Sequence, residues 1–274
     1  MSIDANVLGT DMAHVLGSVL SEATGTVYMI NPTQNLAKAL VTDCSDTLIS
    51  NTNVRLLSNE QLLKDVMDDF IVASNAAELV DSDVLTLRTG DISEPNSLVV
   101  TTNSTVTIVQ VNNRVAGMVA DDTEFVADVR GLYEQTFESA ASYPLRTPAI
   151  SSVRSTLASE IGDETRSDFD SMLTTLQTAR GDGKGLNEVT ISLLVAAKNN
   201  VLLYDISKWG EDVGIASKAT FSRTKTELEE SGLIDTEKVP IDVGRPRLRL
   251  KLGHNRLVSA SSDQLAGVAK NLLA

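Results

Sequence analysis

Four cations recur at every second position near the carboxyl end of the sequence: Arg245, Arg247, Arg249 and Lys251. Successive side chains of an extended strand alternate between faces, so all four would project from one side and can follow a phosphate backbone. Just upstream, Ser217, Lys218, Thr220, Ser222, Arg223, Thr224 and Lys225 gather short polar donors and cations, while the acids Glu227, Glu229 and Glu230 are confined to the far end of that stretch. Hydroxyl and guanidinium groups on one helix can read base edges in a major groove, and neighbouring cations serve phosphate. The chemistry that these types and spacings support is recognition of double-stranded DNA, with no covalent step.

The elements that would position these residues are legible over residues 186–256. Asn187 and Glu188 open a first helix with Val189, Ile191, Leu194 and Val195 as its apolar face. Val201, Leu202 and Leu203 lead into a supporting helix carrying Ile206, Trp209 and Val213, closed by Gly214. Ser217 caps a third helix from Lys218 to about Ser231, with Phe221, Thr224, Leu228 and Leu233 as its inward face and Gly232 as the stop. The pattern then changes to period two, with Leu248, Leu250 and Leu252 after a turn at 242–246. Three helices followed by a strand pair form a winged helix-turn-helix. The alternative is a protein-interaction scaffold whose winged helix binds no DNA, and such a scaffold has no need of the cationic face.

Charge separates this stretch from the rest of the chain. The net charge is −14 overall, yet residues 1–179 hold 9 basic and 25 acidic side chains while residues 180–256 hold 13 and 11. Asp outnumbers Glu by 22 to 15 and Lys is scarce at 10. A chain acidic everywhere except in its expected nucleic-acid module suits a highly saline cytoplasm and suggests a haloarchaeal source. There is no apolar run long enough to span a membrane and no basic, then apolar, leader at the start, so the reading is cytoplasmic. One cysteine, Cys44, and two histidines, His14 and His254, supply neither a disulfide nor a zinc ligand set, so no metal or cofactor is implied.

From the amino end, Val7, Leu8, Met12, Val15, Leu16, Val19 and Leu20 fall at helical spacing and predict one amphipathic helix over residues 5–23. Strands at 26–30, 54–57 and 84–87 alternate with helices at 36–45 and 60–78, which argues for a parallel or mixed sheet. A hairpin through 97–101, 105–111 and 115–119 adds an antiparallel edge, and a helix over 125–139 closes the domain. The expected organisation is an α/β sensor or dimerisation domain over 1–145, a helical linker over 146–185 with a flexible glycine joint at 181–185, the α+β winged helix over 186–256, and a C-terminal helix over 257–274.

The runs Val80-Asp81-Ser82-Asp83-Val84-Leu85-Thr86-Leu87-Arg88, Val115-Ala116-Gly117-Met118-Val119 and Gly214-Ile215-Ala216-Ser217-Lys218-Ala219-Thr220-Phe221-Ser222-Arg223 resemble the TbsP-type transcriptional regulators of haloarchaea. The resemblance covers most of the chain. Those regulators are similar to the sugar-responsive TrmB regulators, which join a winged helix-turn-helix to an effector domain related to the phospholipase D fold. In TrmB regulators the DNA-binding domain comes first, whereas here it is C-terminal. The resemblance implies transcriptional control, of central carbon metabolism genes, and a phospholipase D-like mixed sheet. That fold's chemistry needs a histidine with a lysine two residues on; His14 is followed by Val15-Leu16 and His254 by Asn255-Arg256, so no catalytic residue and no enzyme activity are expected.

An effector site is expected where α/β sheets place ligands, at the carboxyl ends of the parallel strands, on Asn31, Thr33, Ser58, Asn59, Arg88 and Thr89. Arg88 would serve a small anionic or sugar-like metabolite, though each of these residues is also an ordinary turn or cap type. Promoter DNA calls for a homodimer, because one winged helix reads too few base pairs to select a site. The apolar stripes over residues 7–20, 169–176 and 265–273 are the surfaces that the sequence offers for it.

Overall fold

The computed structural model describes residues 6–44, 52–92, 95–176, 186–241 and 246–273. They fall into two compact units, one of residues 1–67 with 75–145, the other of 68–74 with 146–274.

The first unit is built on an eight-stranded mixed sheet in the order β1-β7-β6-β5-β2-β3-β4-β8. Its strands are β1 Val7–Gly9, β2 Gly25–Ile30, β3 Thr52–Ser58, β4 Leu85–Thr89, β5 Ser97–Val100, β6 Thr105–Val111, β7 Arg114–Ala120 and β8 Ala141–Ser142. Only β2, β3 and β4 pair in parallel; the hairpin strands and both edges are antiparallel. Val27, Met29, Val54 and Leu56 are fully or almost fully buried at its centre.

One expectation fails at the amino end. Val7 and Leu8 do not extend the first helix; they form β1, in register with Gly117 and Ala116 of β7. Helix α1, Met12–Ser21, begins only after Asp11, whose carboxylate accepts the His14 amide hydrogen at 2.7 Å. Aspartate at that position satisfies an orphan amide, and so sets a start that spacing alone does not reveal. Helix α2, Gln34–Thr42, follows β2. The single helix expected over 60–78 is two, α3 Glu60–Met67 and α4 Phe70–Asp81, because the Asp69 carboxylate accepts the Ile71 amide at 3.2 Å and starts the chain afresh. Helix α5, Thr123–Ser139, is capped by Asp122 and buries Tyr133 and Phe137 against Tyr28, Ile30, Leu57 and Val100.

The second unit is helical around one core. It comprises α6 Ile150–Glu160, α7 Asp163–Thr175, α8 Glu188–Lys198, α9 Leu203–Val213, α10 Lys218–Glu230, the hairpin of β9 Ile234–Val239 and β10 Arg247–Leu252, α11 Asn255–Val258 and α12 Ser262–Leu273. Every residue of α8 from Val189 to Ala197 is buried, so the helix expected to be amphipathic is the axis on which the others pack. Where a linker was expected, α6 and α7 place Val153, Leu157, Phe169 and Met172 in the same core as Trp209 and Phe221. The Trp209 indole donates to Thr156 Oγ1 at 2.9 Å, and Phe70, at the start of α4, meets Phe169 edge-on with ring centroids 6.5 Å apart. Asp168 of α7 accepts from Lys198 at 2.7 Å, from Asn199 at 2.8 Å and from the Ser262 hydroxyl, which ties α7, α8 and α12 together. The three apolar stripes offered as dimer surfaces are largely consumed inside their own units: Leu16, Phe169, Met172 and Leu265 are fully buried. The glycine joint at 181–185 lies outside the described residues.

Candidate nucleic-acid interface

The turn between α9 and α10 is set by two glycines. Gly214 closes α9 in the left-handed region at φ 91°, which a side chain would strain. Gly210 lies so close to the Phe221 ring that an added Cβ would come within 2.3 Å of it. The two helices can therefore meet at that point only through a residue without a side chain. Ser217 then caps α10, its hydroxyl oxygen accepting the Thr220 amide hydrogen at 3.2 Å and lying 3.1 Å from the Thr220 hydroxyl.

With Phe221, Thr224 and Leu228 buried, the opposite face of α10 presents Ala219, Ser222, Arg223, Thr226, Glu227 and Glu230 to solvent. Of the helix residues expected at DNA, Ser222 and Arg223 stand on this face. Ser217 and Lys218 flank it at the amino end, with Thr220 half-buried beside them. Thr224 does not join them: it is 7% exposed and points into the core. Lys225 is likewise turned in, its side chain 11% exposed and paired with Glu229 at 2.7 Å. Ala219 and Thr226 share the outward face; counting three and four residues from Arg223 finds Thr226, and finds Ala219 equally.

The wing carries its cations in a compensated form. Strand β10 pairs with β9 from Arg247 opposite Val239 to Leu252 opposite Ile234. It also touches the segment before α9, where Leu202 bridges Arg249 and the Leu250 amide donates to the Val201 carbonyl at 2.9 Å. Arg247 packs over the Tyr204 ring and lies 3.6 Å from Asp205. Lys251 pairs with Glu237 at 2.6 Å, and Glu237 stands directly across from Arg249. Lys218 pairs with Glu211 at 2.8 Å. Hydrogen bonds from Lys218 and Lys251 hold the Glu211 and Glu237 carboxyls below the usual range. Among the described residues, Arg223 and Arg249 enter no ion pair; Arg245 lies outside them.

The residues expected at an effector are mostly employed locally. Asn31, Ser58 and Thr89 do gather at the carboxyl ends of β2, β3 and β4: the Asn31 amide donates to Leu57 O at 2.9 Å, and Ser58 stands in register with Thr89. Thr33 and Asn59 cap α2 and α3, accepting from Leu36 and Leu62 at 3.2 and 2.8 Å. Arg88 donates to the Phe137 and Glu138 carbonyls at 2.8 Å each and lies 4.8 Å from the Phe137 ring centroid, so it closes the carboxyl end of α5. Ser58 is buried with its hydroxyl unpartnered among the described residues. The hollow near these strand ends, about 200 Å³, is lined instead by residues such as Asp91, Tyr133 and Thr136. No helix is long and apolar enough to cross a membrane, and no cluster of three or more His, Cys, Asp or Glu side chains fit to hold a metal occurs among the described residues.

Two solved structures are among those similar to this chain. TrmBL2, an archaeal chromatin protein whose structure shows a novel mode of DNA binding, is 14% identical, with 52% of this chain covered, 57% of that one, and a TM-score of 0.39. NucT from Helicobacter pylori is 14% identical, with 50% of this chain covered, 98% of that one, and a TM-score of 0.34. The chain thus spans little more than half the length of the first of these relatives. No curated protein matches the sequence. Residues 4–148 match the N-terminal domain of the TbsP-like transcriptional regulators, and residues 149–270 match their C-terminal helix-turn-helix domain. The chain belongs to the TbsP-like family of transcriptional regulators.

Proposed function

We propose that the protein binds promoter DNA as a homodimer, with α10 in the major groove and the β9–β10 wing along the phosphates. The observation that carries this reading is the outward face of α10. Ala219, Ser222 and Thr226 flank Arg223 on one side, with the exposed acids Glu227 and Glu230 toward the carboxyl end, and its guanidinium enters no ion pair among the described residues and can take the O6 and N7 of a guanine. Symmetric pairing would set two such helices about one helical turn, roughly 34 Å, apart on a palindromic site. The targets proposed are genes of central carbon metabolism, in a saline cytoplasm for which the acidic composition is suited. A metabolite that switches the regulator would be met near Asn31, Ser58 and Thr89. Because Arg88 is already engaged there, a hydroxyl-rich, sugar-like molecule suits that end better than an anion.

Genome-wide chromatin immunoprecipitation, followed by gel shifts with the recovered promoters and scrambled controls, tests the DNA reading. Equal affinity for both sets would sink it. Light scattering in concentrated KCl tests the dimer, and a monomer bound to its operator would sink that part alone. A sugar panel in a thermal-shift assay, repeated with Ser58→Ala and Thr89→Val, tests the metabolite site; no shift, or a shift unaltered in both variants, removes it.

A further inference from the structure

The first unit has a second concavity, along the flank of α5. That helix buries Val126, Tyr133 and Phe137 but leaves a gap beside β5, β6 and β7. There Leu98, Met118 and Ala120 of the sheet and Phe125, Val129 and Leu132 of the helix line a cleft of about 370 Å³. Met118, Phe125 and Leu132 remain 50%, 49% and 55% exposed. Large apolar side chains clustered round one hollow, in a part of the chain otherwise rich in acids, mark a place that binds something.

The remaining lining narrows what that is. Its polar groups are the hydroxyls of Thr105, Thr107 and Tyr133. Thr105 is only 6% exposed, and its hydroxyl has no partner among the described residues, an arrangement that costs free energy until a hydrogen bond is made. Among the described residues no cation lines the cleft, and the charged residue they place in the adjoining hollow, which shares Leu132 and Tyr133 with it, is Asp91. An anion placed here would meet a carboxylate and no counter-charge. Three half-exposed side chains also offer far less than the roughly 800 Å² per partner that a stable dimer buries, which disfavours a second copy as the occupant.

We propose that this cleft binds a neutral, mainly apolar small molecule bearing one hydroxyl or carbonyl group, seated on Phe125, Val129 and Leu132 and hydrogen-bonded to the threonine hydroxyls of β6. The volume lies at the lower end of the range of about 300–1,000 Å³ found for small-molecule sites. The site is independent of the DNA-binding reading; it adjoins the hollow near the strand ends but is lined by none of Asn31, Ser58 and Thr89.

Nile red, a neutral apolar dye, titrated into the full-length protein in concentrated KCl is the probe. The expected result is saturable, blue-shifted emission that 1-octanol displaces and octanoate does not. Val129→Trp, which fills the cleft, and Leu132→Gln, which makes its rim polar, should each weaken the dye about tenfold or more. Val111→Gln, which alters an apolar side chain 62% exposed elsewhere on the sheet, should leave dye binding unchanged. Circular dichroism melts establish that each variant is folded, and Leu132→Gln, at a half-exposed position, keeps the test valid should Val129→Trp unfold. Non-saturable emission, equal displacement by octanoate, or binding unchanged in the folded cleft variants would overturn the proposal. So would a dimer that Leu132→Gln splits in a protein that takes up no dye, because the occupant would then be a second copy.

Discussion

The Arg247 guanidinium lies over the Tyr204 ring, 4.4 Å from its centroid, with the Asp205 carboxylate 3.6 Å away on the same helix. The ring orients a wing cation that is still 40% exposed at its side chain. Arg247→Ala should therefore weaken native and scrambled promoter DNA alike and lower the slope of log affinity against log salt by about 1. Tyr204→Leu should act in the same direction by about 0.5–1 kcal/mol, the worth of an exposed cation–π contact. Fluorescence anisotropy across a KCl series reads both.

Arg223→Ala should behave differently. With the guanidinium exposed on the outward face of α10, its loss is expected to cost about 1–3 kcal/mol on the operator and little on scrambled DNA. Lys225→Ala is the control. Its partner is Glu229 and its side chain is turned in, so it should lower the unfolding midpoint while the ratio of specific to non-specific binding holds. A change in that ratio for Lys225→Ala would put the reading face of the helix elsewhere.

The paired acids of the interface restrain its cations. Glu237→Gln removes the carboxylate that binds Lys251 and faces Arg249. It should raise affinity for any DNA sequence and steepen the salt dependence by about one counterion. If gel shifts over a salt series show no gain, those cations do not meet phosphate.

Acid should loosen the second unit through Asp168. Burial works to raise its pKa, but hydrogen bonds from Lys198, Ser262 and Asn199, with the Lys198 charge, outweigh it and hold the carboxyl below the usual carboxylate range. A depressed pKa in the folded state stabilises above the unfolded value, about 3.9. That contribution is lost as pH falls below about 4 toward the folded value. Urea midpoints measured from pH 7 downward should show this decline, and Asp168→Asn should flatten it. Asp168→Ala, which leaves Lys198 only the Ser262 hydroxyl as a partner among the described residues, should cost about 2–3 kcal/mol at neutral pH.

Gly210→Ala should destabilise the same unit by about 1–3 kcal/mol, because the added methyl must displace the buried Phe221 ring. Chemical denaturation measures it; a neutral effect would mean that the two helices separate freely at their crossing.

Much of this was legible because local signals carry it. Asn187, Ser217 and Asp122 each accept an amide in the first turn of the helix that they open, as their types foretell. The sheet's alternation of strands and helices, and the hairpin through β5, β6 and β7, were equally plain. The misreadings are non-local. Val7 and Leu8 happen to continue the spacing of α1, and their partner β7 lies more than a hundred residues away. Arg88 looked like a free cation in an acidic domain until α5 brought its terminal carbonyls to it. Thr224 and Lys225 have types suited to DNA, and helical spacing placed Thr224 on the inward face as well; packing against the core decided between the two readings.

The opening turn of α4 belongs with the second unit while the rest of that helix belongs with the first, so the chain passes between the two more than once. The helix-turn-helix half is therefore not a portable cassette. A fragment cut to begin at Arg146 would leave Phe169 without the ring of Phe70 against it and would open an apolar gap in the core that holds Trp209 and Phe221. Grafting this reading head onto a foreign partner would require residues 68–74 to be carried along, spliced in from far upstream, and on the ribosome those seven residues would have to wait for the carboxyl half of the chain before the second core could close.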